Sequence, residues 1–160
     1  MVIDSHIHMY PPEVYKNPIA WARKMDEPYW GALMGDNPAG TSIQGWVTVD
    51  QLIADMDAAG IDKVVLQGIY FQHHETCVMQ NNWYIDWCQK HPDRLLGFAT
   101  VQPKAGQVAL DEIKRAVDQG LCGIGEILPY AQGHTMRDDC FLAIGELALT
   151  LDIRAPRVRH

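Results

Sequence analysis

The sequence predicts an α/β fold with a parallel sheet, and two observations carry that prediction. From Thr48 onward, apolar runs of strand length alternate with amphipathic segments of helix length. The apolar runs also lack polar alternation, as strands covered on both faces require. A third observation shapes the rest. Between the first run and the regular part lies a long segment, Met9 to Val47, with five prolines.

The elements follow in chain order. "MVIDSHIH" reads as the first strand. Met9 to Val47, with Pro11, Pro12, Pro18, Pro28 and Pro38, is far longer than an ordinary strand-to-helix connection of about 2–6 residues, which predicts a lid or binding loop. "TVDQLIADMDAAG" reads as a helix. Thr48 and Gln51 have the spacing of a capping box, Leu52, Ile53 and Met56 share a face, and Gly60 stands at the stop. "KVVLQGIY" is a buried strand. "HETCVMQNNWYIDWCQKHP" is a helix ended before Pro92, with His91 complementing its C-terminal dipole. "RLLGFATVQP" is the third strand. "AGQVALDEIKRAVDQG" is a helix with Ala109, Ile113, Ala116 and Val117 as its buried stripe. "LCGIGEIL" is the fourth strand, and "RDDCFLAIGELALTLD" a last helix with Asp138 and Asp139 at its start. About four βα units result, joined by right-handed crossovers.

Composition excludes several function classes. Of 160 residues, 48% are apolar and 21% charged, the values of a globular domain, so 1–160 reads as one domain. The net charge of −7 argues against nucleic acid as a partner, because phosphate recognition needs clustered Lys and Arg. No apolar run approaches the ~20 residues of a membrane span. The N-terminus lacks a basic segment followed by an apolar one, so a cytoplasmic location is the expectation. Cys77, Cys88, Cys122 and Cys140 form no C-x-x-C pair, which predicts reduced, mostly buried thiols rather than a metal knuckle.

The chemistry concentrates at strand ends. His6 and His8 stand two apart at the end of the first strand, where residues i and i+2 share a face about 6.6 Å apart. With seven histidines in the chain, chance supplies roughly 0.3 such pairs, so the spacing alone says little. The position says more, because parallel α/β folds place their chemistry at the carboxyl ends of the strands. Converging imidazoles suit a divalent ion whose identity the rest of the donor set decides.

"VIDSHIH" resembles the first-strand signature of the amidohydrolase superfamily, in the branch known as amidohydrolase-related, which holds hydrolases and decarboxylases. "LIADMDAAGIDKVVLQG", "HPDRLLGFATVQP" and "GLCGIGEILPYAQG" are similar to its second, third and fourth strands with their approaches. The resemblance covers Val2 to Asp152. It implies a partial TIM barrel: about four βα units of a (β/α)8 barrel with a long loop after the first strand.

The resemblance further implies a metal-dependent hydrolase acting on C–N or C–O bonds of a small-molecule substrate. His6 and His8 would be ligands of a divalent metal ion, with zinc expected, and Glu126 a further ligand or a catalytic group orienting substrate. Burial chemistry supports Glu126 independently. An acid in an apolar strand is costly unless paired or bound to a cation, and Gly123 and Gly125 leave room beside it. Asp4 either supports the metal shell or bonds backbone. His73, His74 and Tyr130 are candidate substrate contacts, with Tyr70, Gln72 and His134 on the same face. Trp21, Trp30 and Trp46 are read as packing the long loop onto the sheet.

A complete barrel of this kind needs at least ~200 residues. The family takes further histidines from its fifth and sixth strands and an aspartate from its eighth, so the chain corresponds to an N-terminal half. Its end changes character. Arg154, Arg157 and Arg159 crowd the last seven residues, while the chain through Thr150 carries ten basic and 19 acidic residues. Residues 153–160 are therefore read as an atypical tail, the mark of a frameshift or early stop near 153, with His160 as a stand-in ligand. The first and fourth strands would be open edges, which predicts pairing of two chains. Two other functions stand beside hydrolysis. One is metal-dependent decarboxylation, for which Arg137 and Arg23 are the positive groups on offer. The other is a fragment without catalysis.

Overall fold

A computed structural model describes residues 1–151 and 153. Four strands, β1 (Ile3–Ile7), β2 (Lys63–Leu66), β3 (Leu95–Ala99) and β4 (Gly123–Ile124), form a parallel sheet in the order β1-β2-β3-β4. Lys63 pairs with Ile3, Leu95 with Val64, and Gly123 with Phe98. Among the described residues β1 and β4 are therefore the edges. Arg154, Arg157, Arg159 and His160 lie outside the described residues.

The helices alternate with the strands as expected. They are α4 (Val49–Ala59), α5 (His74–Lys90), α6 (Gln107–Asp118) and α8 (Asp139–Thr150), with a short α7 (Pro129–Gln132) after β4. Thr48 caps α4 by accepting from Gln51 N at 3.2 Å. The capping box is one-sided, because the Gln51 side chain bonds Asp55 at 2.7 Å instead of reaching back. Gly60, at φ 70°, takes the left-handed turn that ends α4 without the strain of a Cβ.

The main core fills the space between the sheet and α4 and α5. Val64, Leu66, Leu95 and Ala99 meet Leu52, Met56, Tyr84 and Cys88 there. A second cluster joins Val101 to Ala109 and Ile113 of α6 and Ile144 of α8.

Three expectations are corrected. Met9 to Val47 is not an open loop, since it folds into α1 (Pro12–Tyr15), α2 (Pro18–Met25) and α3 (Pro28–Leu33). Each starts with a proline in its first turn, where the fixed φ suits a helix and no N–H is missed. The prolines that signalled loop are helix starts. Second, β1 is not covered on both faces, because it sits at an edge and its Ile3 is exposed. Third, the fourth strand is only Gly123–Ile124, so Glu126 lies just beyond it.

The helical segment has its own core. Tyr10, Val14, Ala22, Trp30 and Met34 pack against Ile69, Phe71 and Cys77, with Trp21 and Trp46 partly buried around them. Trp30 Nε1 donates to the Tyr10 hydroxyl at 3.0 Å, so burying the indole leaves no unpaired donor. The segment is pinned by Glu27, which is fully buried. Its carboxylate accepts from Gln72 N at 2.7 Å and His73 N at 3.0 Å, at the start of α5.

Candidate metal centre

The carboxyl ends of β2, β3 and β4 are stitched together by backbone. Gly68 N donates to Gly125 O at 2.9 Å, and Glu126 N donates back to Gly68 O at 2.6 Å. A Cβ on Gly68 would stand 2.7 Å from Thr100 Cβ, so this approach requires glycine. Thr100, just past β3, lies between the two partners. Its hydroxyl is 2.9 Å from Ile69 O and 3.2 Å from Glu126 O. Behind Thr100, Asn81 of α5 accepts from Thr100 N and donates to Thr100 O, both at 2.9 Å. Asn81 also donates to the buried Glu112 at 2.8 Å, which Arg115 clamps with two nitrogens at 2.6 and 2.7 Å.

This scaffold brings Glu126 across to the end of β1. Its Oε1 is 3.2 Å from His6 Nε2, and its Oε2 is 3.8 Å from His8 Nε2. The two imidazole nitrogens are 3.1 Å apart. One donor atom from each of the three residues falls within 4.8 Å of the others. Donors about 2.0–2.1 Å from one tetrahedral ion lie about 3.3 Å apart, so the set fits a single divalent cation.

His8 is held in place by the residue that follows β2. Its Nδ1 is 3.0 Å from Gln67 O, a carbonyl that can only accept, so Nδ1 carries the proton and Nε2 faces the carboxylate with a lone pair. Gln67 O also accepts from the buried Tyr84 hydroxyl at 2.7 Å. Burial lowers the His8 pKa from the ordinary 6.5, with the Gln67 hydrogen bond and the Glu126 charge opposing.

The other candidates sit elsewhere. Asp4 accepts from His6 N at 3.1 Å and so bonds backbone beside the triad. His73 caps α5 and places Nε2 2.9 Å from Asp26 O. His73 and His74 line a hollow with Gln72, Gln102 and Lys104, apart from the triad. His134 is buried and stacks on Phe141 at 5.4 Å. Arg23 is taken up by Asp36 at 2.8 Å, and Arg137 is exposed. Tyr130 does reach the triad's neighbourhood, lining a hollow with Tyr70 and Glu126. Tyr29, which the sequence reading missed, packs against both tyrosines. It lies in what reads as a loop, so periodicity gave no signal. All four cysteines are free thiols, with Cys77 and Cys88 buried.

A parallel α/β half-barrel with two histidines and a carboxylate at its carboxyl end defines a class, and the comparisons agree. The chain belongs to the amidohydrolase family, whose model matches residues 3–153. No curated protein matches it. Among solved structures it is similar to 5-carboxyvanillate decarboxylase of Novosphingobium aromaticivorans, crystallised with manganese and 3-methoxy-4-hydroxy-5-nitrobenzoic acid. Identity is 24% and the TM-score 0.72, over 95% of this chain and 49% of that one. It is also similar to 2,6-dihydroxybenzoate decarboxylase of Rhizobium, at 22% identity and TM-score 0.63, over 94% and 47% of the two chains. A 2-pyrone-4,6-dicarboxylic acid hydrolase candidate of Acinetobacter baumannii matches at 18% identity and TM-score 0.57, over 93% and 46%. The chain thus spans about half the length of these relatives. No helix among the described residues is long and apolar enough to cross a membrane.

Proposed function

We propose that His6, His8 and Glu126 hold a divalent metal ion, and that the protein is a metal-dependent decarboxylase of a small aromatic acid. The observation that carries the metal reading is the convergence of the three donors within 4.8 Å at the carboxyl end of the sheet. The likeness in fold to two decarboxylases supports decarboxylation over the hydrolysis expected first. The family name and the hydrolase candidate keep C–O or C–N cleavage as the second reading.

A bound ion would supply a Lewis acid for the substrate's oxygens. The chain's own residues have distinct tasks. His8, oriented by Gln67 O, offers Nε2. Glu126 supplies negative charge, and its backbone is set by Gly68 and Thr100. Two imidazoles and one carboxylate accept either zinc or manganese, and manganese is the ion bound in the 5-carboxyvanillate decarboxylase. The open edges at β1 and β4 also make a second copy of the chain a proposed partner, an idea that a purely monomeric elution profile removes.

The test has two parts. Elemental analysis after Mn²⁺ loading should find about one ion per chain, lost in a His6→Ala/His8→Ala double variant. The loaded protein should then release CO₂ from 2,6-dihydroxybenzoate or 5-carboxyvanillate. Absence of metal in the wild type ends the site reading. Metal without CO₂, but with opening of a lactone substrate, moves the function to the second reading.

A further inference from the structure

Glu126 faces two ways. One side meets His6 and His8. The other helps line a hollow of about 480 Å³ together with Tyr70, Ile127, Leu128 and Tyr130. That volume lies within the ~300–1,000 Å³ of ordinary ligand pockets.

Two tyrosines line this hollow, and a third, Tyr29, packs against both of them. Tyr70 follows β2, Tyr130 belongs to α7, and Tyr29 belongs to α3. Tyr29 stands edge-on to both others, with ring centroids 5.8 Å from Tyr70 and 5.6 Å from Tyr130 and interplanar angles of 68° and 67°. Tyr70 rests half-buried against the cluster built on Tyr10 and Trp30, while Tyr29 and Tyr130 stand outside it. Tyr130 is 71% exposed, whereas the core tyrosines Tyr10 and Tyr84 are buried and bonded to specific partners. A hydrogen bond with Tyr130 pushes the Tyr29 hydroxyl up to about 12 and ties the two side chains together.

The walls differ in chemistry from one side to the other. On one side stand the rings of Tyr70 and Tyr130 with apolar Ile127 and Leu128. At the other side stands a carboxylate, which repels an acid unless a cation lies between them. We infer that Tyr70 and Tyr130, braced edge-on by Tyr29, seat the ring of a planar, hydroxylated aromatic acid, whose carboxylate end points to the triad of His6, His8 and Glu126. This rests on the triad being a metal site, and it assigns the helical segment after β1 a part in substrate choice.

The expected effect is modest and specific. Aromatic pairs contribute about 0.5–1.5 kcal/mol beyond area, which corresponds to roughly 2–13-fold in affinity. The experiment is calorimetric titration of the Mn²⁺-loaded protein with 2,6-dihydroxybenzoate and with cyclohexanecarboxylate, an acid without a flat ring. The wild type should prefer the first. Tyr29→Leu and Tyr130→Leu should each weaken it about 5-fold, leaving cyclohexanecarboxylate and the Mn²⁺ dissociation constant unchanged. Tyr130 is so exposed that its variant folds even if the Tyr29 one does not. Mn²⁺ uptake with no preference between the acids, or with wild-type affinities in the variants, overturns the ring seat alone. A wild type that takes up no Mn²⁺ overturns the metal reading and the seat with it.

Discussion

The hydroxyl of Thr100 lies 3.2 Å from the backbone oxygen of Glu126, and Asn81 grips both the N–H and the C=O of the same threonine. A network buried between α5 and α6 thereby reaches, through one side chain, the backbone of the residue that carries the candidate site's carboxylate.

Thr100→Val keeps the shape and removes the hydroxyl. Ile69 O and Glu126 O then lose the single O–H donor they share, which costs about 1–3 kcal/mol. Mn²⁺ affinity is expected to fall about 10-fold, the lower end for loss of a group that orients a ligand. Thr100→Ser should keep wild-type affinity. Equal weakening in both variants would place the effect in the methyl's packing instead.

Glu27 links the helical segment to α5, and burial raises its pKa above the ordinary 4.5. The folded state therefore holds a proton that the unfolded chain releases near its ordinary pKa. Stability from this group falls as pH rises from about 4.5 through the raised value. Glu27→Gln removes that slope. It also turns one acceptor into a donor facing N–H, at a cost of about 1–3 kcal/mol, or roughly 2–12 °C in Tm. Thermal melts of both proteins from pH 4 to 8 check both effects. Parallel curves would deny that Glu27 titrates differently on folding.

The metal-free protein should respond to acid in the opposite sense at His8. Its folded pKa is lowered by burial, so the unfolded chain takes up the proton first. Wild-type stability should fall relative to His8→Gln as pH drops through about 6.5 and level off below the folded pKa. Mn²⁺ uptake should weaken in the same acidic direction, because protons and metal compete for Nε2.

Cys77 and Cys88 are buried thiols, and burial pushes Cys88 up to about 12. Neither should react with a disulfide reagent at pH 8 in the native protein, whereas all four cysteines should react in denaturant. Labelling of Cys88 in the native state would contradict its packing beside Leu95 and Tyr84.

The regular part of the fold was legible because two signals coincide there. Val64 to Leu66 and Leu95 to Ala99 are apolar without alternation, and α4 carries both Thr48 and Gly60 at its ends. The early segment was not legible, because Pro12, Pro18 and Pro28 mark a helix's first turn as readily as a loop. At the candidate site, spacing and strand position singled out His6 and His8, while Glu126 came from the family resemblance and from the cost of an acid in an apolar run. Nothing local marks Thr100 or Asn81. Their importance lies in hydrogen bonds between residues 19 and 26 apart in sequence. Gly68 is equally silent in sequence, though the approach of Gly125 O leaves no room there for a side chain.

The segment between β1 and α4 has a core of its own, fastened by Glu27 to the start of α5, and it carries Tyr29. Its packing is largely separate from the cluster that holds the sheet to α4 and α5. Sequence change within it can therefore alter what backs the tyrosine wall of the ligand hollow while the donors on β1 and after β4 keep their places. Such a partition lets natural variation, or a grafted segment from a relative, diversify what is recognised without rebuilding the chemistry.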